Sequence, residues 1–158
     1  MDMSRQINNV IAITASLICI GLINFAGQNI DIEIRGINAF TFILFVAVIL
    51  QIIFFIPSFL LKTEKYYDLV GSLTYIATVS LAYFSVENKT MIDSIIYFYV
   101  MVWALRLGIY LFRRVRNDGK DVRFEKAKRH FLWFLQYWMG QALWVSLTAC
   151  AAIIAILS

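Results

Sequence analysis

Proline, histidine and cysteine are scarce in this chain, and their scarcity excludes several classes of protein. One proline and seven glycines among 158 residues argue against a loop-rich fold. One histidine and two cysteines, Cys19 and Cys150, show no metal-ligand spacing. A zinc, haem or iron–sulfur site is therefore not expected. We interpret both cysteines as small apolar side chains within the fold and expect no metal ion.

Charged residues are also few, at 15% of the chain, whereas hydrophobic residues make up 61% and the mean hydropathy is +0.76. A soluble domain is about 25% charged and about 45–50% apolar, so this composition predicts an integral membrane protein. The net charge of +4 arises mainly from one loop, because eight of the fourteen Lys and Arg residues fall between Arg113 and Arg129. A charge confined to one loop does not indicate nucleic-acid binding, and we expect no such partner.

Long apolar runs, by contrast, are abundant. A membrane-spanning helix needs about 20 mostly apolar residues, and five stretches qualify. They predict an all-α integral membrane protein, a single domain of about five transmembrane helices over residues 1–158, with spans near 8–28, 37–61, 67–86, 92–112 and 131–157. The first stretch has one preceding basic residue and no small-residue cleavage site, so we interpret it as a retained helix rather than a signal peptide.

The basic residues outside the spans predict the orientation of the helices, because such residues are enriched on the cytoplasmic side. With five spans, eleven basic residues lie on one side and two on the other. The first group comprises Arg5, Lys62, Lys65 and the eight residues of the 113–129 loop, and the second comprises Arg35 and Lys89. We therefore predict a multi-pass membrane protein with a cytoplasmic N-terminus and an extracytoplasmic C-terminus.

Arg106 lies inside the fourth predicted span, about 10 Å of helix before the boundary at Arg113. Tyr99, Arg106 and Arg113 repeat every seven residues, which predicts that they share one face of this helix. An arginine within a span is costly and rare, so it marks either a functional site or a paired structural charge. Asp68 lies just inside the same boundary on the third span, and a snorkelling arginine side chain can cover the remaining roughly 5 Å. We therefore predict that Arg106 pairs with Asp68. In the functional alternative, Asp68 orients Arg106 toward a phosphate or a polar group of a substrate, and Tyr75 and Tyr110 line the same cavity.

The basic 113–129 loop has two interpretations, which stay open at this point. It could serve as a positive-inside signal that also attracts anionic lipid, at roughly 1 kcal/mol per basic residue. We favour this interpretation for Lys126, Lys128 and Arg129. It could instead bind phosphate, because the segment Gly119-Lys120-Asp121-x-Arg123 is more ordered than an anchor requires. That segment predicts a structured turn in which a glycine at positive φ tolerates no β-branched replacement.

Three motifs in a fixed order carry a resemblance to a known family. The chain is similar, over roughly residues 60–150, to a bacterial family of multi-span membrane proteins of unknown function related to steroid 5-alpha-reductases. The residues concerned are Lys62-x-x-Lys65-x-x-Asp68-Leu-x-Gly71-Ser72-Leu-Thr74-Tyr75, then Trp103-x-Leu105-Arg106-Leu107-Gly108-x-Tyr110-Leu-x-x-Arg113, then Gly119-Lys120-Asp121-x-Arg123-Phe124, followed by the aromatic, Gln-containing stretch Phe131–Trp144.

The resemblance implies a polytopic helical fold and, for complete members, NADPH-dependent reduction of an activated carbon–carbon double bond in a lipid or steroid-like substrate. It implies that Asp68 and Tyr75 are catalytic polar groups that face the substrate. It also implies cofactor-binding roles for Arg106, Arg113, Arg116, Lys120 and Arg123. The chemistry is suitable, because the planar fork of arginine binds a phosphate bidentately.

One departure from the family pattern shapes the functional hypotheses. Family members continue through further helices that bear an Arg-His-Pro-Asn-Tyr-like motif, whereas here the only proline is Pro57 and His130 precedes Phe131. The resemblance therefore covers the N-terminal half of the family fold. The chain would be a truncated product, a subunit completed by a second chain or segment, or a short descendant. Two functions stay open: an NADPH-dependent reductase of lipid enones that is incomplete by itself, or a non-enzymatic protein that binds anionic membrane lipid or a membrane partner through the basic loop.

Overall fold

The computed structural model describes residues 3–118 and 122–158, which form five α-helices and one small hairpin. The helices are α1 (Met3–Asn24), α2 (Ala39–Leu60), α3 (Tyr67–Ser85), α4 (Met91–Asp118) and α5 (Phe131–Leu157), and the strands are β1 (Glu33–Ile34) and β2 (Ile37–Asn38). Short 3₁₀ turns occupy Phe25–Gly27, Val122–Phe124 and Ala127–Arg129. The prediction of an all-α membrane fold with about five helices is confirmed.

Four of the five helices are long and apolar enough to cross a membrane: Met3–Gly27, Ala39–Leu60, Met91–Asn117 and Phe131–Leu157. The protein is therefore of the multi-pass type, as predicted, while the orientation of its termini stays a prediction. Short connections link α2 to α3 and α3 to α4. We call the end of the bundle that carries residues 61–66 and the basic loop the basic end, and the opposite end the hairpin end.

Helix α3 is not among these four candidate spans and carries several hydroxyl side chains, yet it lies inside the bundle and packs on α2, α4 and α5. Its hydroxyls are buried and satisfied locally: Thr74 donates to the Val70 carbonyl at 2.7 Å and Thr78 to the Thr74 carbonyl at 2.8 Å. The amide of Gln51 on α2 donates to Thr74 Oγ1 at 2.9 Å. Neighbouring helices thus cover the polar groups that would be unfavourable against lipid.

Helix α5 is the other central element and packs on α1, α2 and α3. At the basic end an aromatic cluster joins these helices to the loop. Phe124, from the loop, is 1% exposed, and its ring centroid lies 4.7 Å from that of Tyr67 on α3 and 4.9 Å from that of Tyr137 on α5. The Tyr67 hydroxyl donates to the Tyr137 carbonyl at 2.9 Å. The C-terminal part of the loop is therefore packed into the bundle.

A buried ion pair fastens the same part of the loop. Lys128 Nζ lies 2.6 Å from Glu64 Oε2, and the Glu64 side chain is only 3% exposed. The interpretation of Lys128 as a lipid anchor is therefore wrong, because its ammonium group is turned inward to a buried carboxylate. Lys126 and Arg129 are exposed, so the anchor interpretation stays open for them. The predicted turn at 119–121 lies outside the described residues.

Small residues set the distance between α3 and α4. The Ser72 hydroxyl donates to the Ala104 carbonyl at 2.5 Å. A Cβ atom on Gly108 would lie 2.5 Å from Ser72 Oγ and 2.8 Å from Ser72 Cβ. The face of α4 that meets α3 therefore contains Ala104 and Gly108, and both are buried. Glycine and alanine at this spacing allow two membrane helices to approach closely.

The hairpin at the opposite end was not predicted from the sequence, which suggested only a polar connector between the first two spans. Asn38 organises this connector. Its side-chain oxygen accepts from the Thr41 amide at 3.1 Å and so caps α2, while its amide nitrogen donates to the Gly27 carbonyl at 3.2 Å and the Ile30 carbonyl at 2.8 Å. One side chain thus satisfies both the helix terminus and the turn that precedes it.

Candidate functional site

The outward face of α4 carries a groove lined with arginine side chains. Its volume is about 670 Å³, and its lining residues are Arg106, Ile109, Tyr110, Arg113, Arg114 and Asn117. We call it the arginine groove. Arg106, Tyr110, Arg113 and Asn117 recur at three- and four-residue intervals, so they form a single stripe on the helix. The sequence prediction that Arg106 and Arg113 share one face of this helix is therefore consistent with the groove that both of them line.

Two of these arginines have uncommitted donors. Within residues 3–118 and 122–158, neither Arg106 nor Arg113 takes part in a hydrogen bond or an ion pair, and both side chains are exposed. A guanidinium group carries five N–H donors and stays charged at any physiological pH. Along the helix axis, Arg106 lies about 10 Å deeper than Arg113. The groove therefore offers cationic donors at two depths along one wall of the bundle.

The predicted pair between Arg106 and Asp68 is wrong. The Asp68 carboxylate instead pairs with Arg114, whose Nη2 lies 3.3 Å from Oδ2, and Arg123 Nη2 lies 3.9 Å from the same oxygen. Arg106 projects from the side of α4 opposite the face that meets α3. Asp68 therefore holds Arg114, which also lines the arginine groove, and the acid contributes to the site by positioning that side chain.

The remaining predicted cofactor ligands do not converge on the groove. Arg116 lines a separate pocket of about 250 Å³ with Lys65, Tyr66, Phe112 and Val115. Arg123 belongs to the Asp68 cluster, and Lys120 lies outside the described residues. Arg114 was not predicted, because it lies outside the seven-residue repeat formed by Arg106 and Arg113. An adjacent arginine reaches the same groove from the next position on the helix.

Tyr75 lies in a different pocket, of about 220 Å³, between α3, α4 and α5. Its lining residues are Tyr75, Val100, Trp103, Thr148, Ala149 and Ala152, and we call it the tyrosine pocket. The Tyr75 hydroxyl lies 2.5 Å from Thr148 Oγ1, and the Thr148 hydroxyl donates to the Trp144 carbonyl at 2.7 Å. Because a threonine hydroxyl has one proton, Tyr75 must be the donor to Thr148. The tyrosine proton is thus directed at a neutral acceptor within a largely apolar pocket.

The structure separates the two predicted catalytic residues. Asp68 and Tyr75 are seven residues apart on α3, about 10 Å along the axis, and Asp68 is not among the residues that line the tyrosine pocket. Tyr110 lines the arginine groove, so the prediction that Tyr75 and Tyr110 share one cavity is also wrong. The two sites are nevertheless neighbours, because Trp103 of the tyrosine pocket lies three residues before Arg106 of the groove.

Among the described residues there is no group of three or more His, Cys, Asp or Glu side chains that could hold a metal ion. The arginine groove instead favours an anion with several acceptor oxygens, and the tyrosine pocket favours a small apolar group with one acceptor. The two sites together could accommodate a ligand that is anionic at one end, or two ligands side by side.

Comparison with known proteins places the chain in a family without assigning a reaction to it. No curated protein and no solved structure matches the sequence. The family described as "Protein of unknown function (DUF1295)" matches residues 54–158, about two thirds of the chain. The matched segment contains all of α3, α4 and α5, and so both candidate sites. The link to steroid 5-alpha-reductases stays a prediction. On this match, the chain belongs to the DUF1295 family of membrane proteins of unknown function.

Proposed function

We propose that the protein is part of an NADPH-dependent membrane reductase of lipid enones, in which the arginine groove binds the cofactor's phosphates and Tyr75 contacts the substrate. The observation that carries this proposal is the adjacency of the two sites on α4: the tyrosine pocket ends at Trp103 and the arginine groove begins at Arg106, one helical turn away. The motif resemblance to steroid 5-alpha-reductases supports the same assignment.

The residues of the groove fit such a cofactor chemically. Arg106 and Arg113 offer guanidinium forks to phosphate oxygens, and Arg114 adds a third cation held by Asp68 at 3.3 Å. The exposed ring of Tyr110 provides a flat surface for a base or ribose, and Asn117 provides amide donors. When bound, NADPH would supply a hydride. The charges and donors in the groove thus correspond to the pyrophosphate and the 2′-phosphate of this cofactor.

Tyr75 would act on the substrate carbonyl. Its hydroxyl proton is held by Thr148 Oγ1, a neutral and therefore modest acceptor, so an enone carbonyl oxygen entering the pocket could take over this hydrogen bond. The bond polarises the carbonyl and stabilises negative charge that develops on its oxygen. Apolar walls, including Ala149 and Ala152, lower the local dielectric and strengthen this interaction. Tyr75 is accordingly the residue proposed to hold a proton at that oxygen.

A second candidate function is the binding of anionic phospholipid. The observation that favours it is the exposure of α4: Tyr99 is 68% exposed, Val102 48% and Ile109 52%, all on the side that carries the groove. Lipid could therefore lie along this helix. Arg113, and Arg106 by snorkelling, would then contact a headgroup phosphate. In this alternative the tyrosine pocket has no chemical role.

Thermal unfolding of the purified protein in a zwitterionic detergent distinguishes the two functions. NADPH at a hundredfold excess over its dissociation constant should stabilise a cofactor-binding protein by about 2.7 kcal/mol, and NADH, which lacks the 2′-phosphate, should stabilise it less. Phosphatidylglycerol, compared with phosphatidylcholine, tests the lipid function. A shift with phosphatidylglycerol but none with NADPH would replace the reductase proposal by the lipid one, and no shift with either would reject both.

Matched variants assign any shift to the groove. Arg106→Gln and Arg113→Gln remove charges that make no ion pair within the described residues, so they should reduce the ligand-induced shift and leave the stability of the free protein nearly unchanged. Arg116→Gln is the control, because it removes the same charge from the same helix but outside the groove. Equal losses in all three variants would indicate non-specific charge attraction and contradict a defined phosphate site.

A further inference from the structure

A second groove, between α1 and α5 and separate from the sites above, has a volume of about 390 Å³. Ala12 and Ser16 line its α1 side, and Gln136, Gly140, Gln141 and Trp144 line its α5 side. Trp144 is 63% exposed, so the groove is open to the outside of the bundle beside this residue. Ligand sites typically measure about 300–1,000 Å³, and a single water molecule occupies only about 30 Å³.

One polar atom at this groove lacks a partner. Gln141 Oε1 is buried and accepts no hydrogen bond from any described residue. Its amide nitrogen end packs against α3, where a Cβ atom on Gly71 would lie 2.5 Å from Gln141 Nε2. A buried amide oxygen without a hydrogen-bond donor is unfavourable by about 1–3 kcal/mol. In a membrane interior, no water is present to donate a hydrogen bond to it. The site is therefore poised to accept a hydrogen bond.

The other hydroxyl groups at the groove cannot supply that donor. The Ser16 hydroxyl donates to the Ala12 carbonyl at 2.9 Å, and the Tyr67 hydroxyl donates to the Tyr137 carbonyl at 2.9 Å. Both protons are committed to the backbone. Within the described residues no side chain donates to Gln141 Oε1, and a molecule that enters the groove can supply this donor.

The surroundings of the site restrict the chemistry of that molecule. Gln141 lies beside Gly71, four residues into α3, and so about 6 Å along that helix from its start. A phosphate or an ammonium headgroup would be strongly disfavoured in this groove, because no charged side chain is among the described residues that line it. A single neutral hydroxyl can be transferred there at modest cost when it gains a hydrogen bond.

We propose that the α1–α5 groove binds a neutral lipid alcohol, whose hydroxyl donates to Gln141 Oε1 and whose hydrocarbon chain lies against Gly140 and Trp144. Gly140 is suited to this role because a Cβ atom built on it meets nothing within 4 Å. The open space above this glycine is the space that the ligand fills. The site differs from the arginine groove in its helices, its charge and the class of its ligand.

Photo-labelling of the protein in phosphatidylcholine nanodiscs tests the proposal. The probe is hexadecan-1-ol that carries a diazirine in its chain, and its methyl ether is the matched probe that cannot donate a hydrogen bond. The alcohol should label the groove saturably, with competition by unlabelled hexadecan-1-ol, and about three- to tenfold more strongly than the ether, as expected for one hydrogen bond. Equal labelling by the two probes would overturn the proposal.

Two variants localise the binding. Gln141→Met keeps the side-chain length but removes the acceptor, so it should abolish the preference for the alcohol over the ether. Gly140→Leu fills the open space and should reduce labelling by both probes, whereas Gly21→Leu, at an exposed α1 glycine with equally open surroundings, should not. Should one variant fail to fold, the other still decides the question. Unchanged selectivity in Gln141→Met, or unchanged labelling in Gly140→Leu, would contradict the assignment.

Discussion

Replacement of Gly108 by alanine tests the closest contact between the helices that carry the candidate site. The new Cβ atom would lie 2.5 Å from Ser72 Oγ and 2.8 Å from Ser72 Cβ, whereas unstrained carbon atoms are separated by about 3.5–4.0 Å. Ser72 cannot turn away without losing its 2.5 Å hydrogen bond to the Ala104 carbonyl. The helices must therefore separate, which typically costs about 1–3 kcal/mol in a packed core.

The intrinsic helix preference of alanine acts in the opposite direction. Alanine is favoured over glycine by about 1 kcal/mol in a helix, so the expected net loss for Gly108→Ala is about 0–2 kcal/mol. Gly140→Ala supplies the control, because a Cβ atom there meets nothing within 4 Å. It should be neutral or stabilising by up to about 1 kcal/mol. The comparison removes helix propensity from the result and leaves the steric contribution.

Equilibrium unfolding in mixed micelles, with dodecyl sulfate as the denaturant, measures both variants. Adding Ser72→Gly to Gly108→Ala removes the two atoms that clash, so the double variant should lose less stability than the sum of the single losses. The reasoning would be refuted if Gly108→Ala were as stable as Gly140→Ala. Strict additivity of Ser72→Gly and Gly108→Ala would refute it as well, since two residues that touch must be coupled.

Three further outcomes are expected. Lys128→Met should destabilise the protein by about 1.5–3 kcal/mol in the same unfolding assay, because it removes a charge-assisted hydrogen bond of 2.6 Å from the buried Glu64 carboxylate. Lys126→Met, at an exposed position, should change stability by less than about 0.5 kcal/mol. Equal effects of the two substitutions would indicate that Lys128 is exposed to solvent. Asp68→Asn should cost only about 0.2–1 kcal/mol per pair in that assay, because its arginine partners are 41% and 55% exposed, and a loss several times larger would show that the cluster is sealed from water. A reporter fused after Ser158 should be active only on the extracytoplasmic side, and cytoplasmic activity would contradict the predicted orientation.

The helices could be predicted from the sequence because hydropathy and length suffice to identify them. The predicted 37–61 and 131–157 spans differ from α2 and α5 by two residues or fewer at each end. The predicted 67–86 span also agrees with α3 to within one residue at each end, although Ser72, Thr74 and Thr78 lower the hydropathy of this helix. Those hydroxyls are tolerated because other helices cover them, and burial of this kind depends on tertiary packing that a local window does not contain. The β1–β2 hairpin was missed for a related reason, because strands of two residues have no alternation to detect.

The candidate site was predicted less completely than the fold. The seven-residue spacing placed Arg106 and Arg113 on one stripe, and both line the same groove. Which other residues line the groove depends on the length and direction of their side chains, and the sequence does not show these. Arg114, which lines the groove, was therefore missed, and Arg116, which lines a separate pocket, was predicted as a cofactor ligand. The role of Lys128 was missed for the same reason: its sequence neighbours are exposed, and only the fold brings Glu64, sixty-four residues away, to within 2.6 Å of it.

The pair between Arg106 and Asp68 was predicted from depth along the helix axis alone, without the rotation of each side chain about that axis. Two residues correspond to about 200° of rotation, so Arg106 projects nearly opposite to both Ala104 and Gly108, the small residues that contact α3. Small residues four apart indicate the close-packed face of a membrane helix, and this signal was present in the sequence. Because this rotation turns Arg106 away from Asp68, the five N–H donors of Arg106 take part in no ion pair within the described residues. An arginine neutralised by Asp68 would have stabilised the bundle, whereas one that faces outward at this depth still needs an anion, and that need is the physical basis for placing a phosphate-bearing ligand on α4.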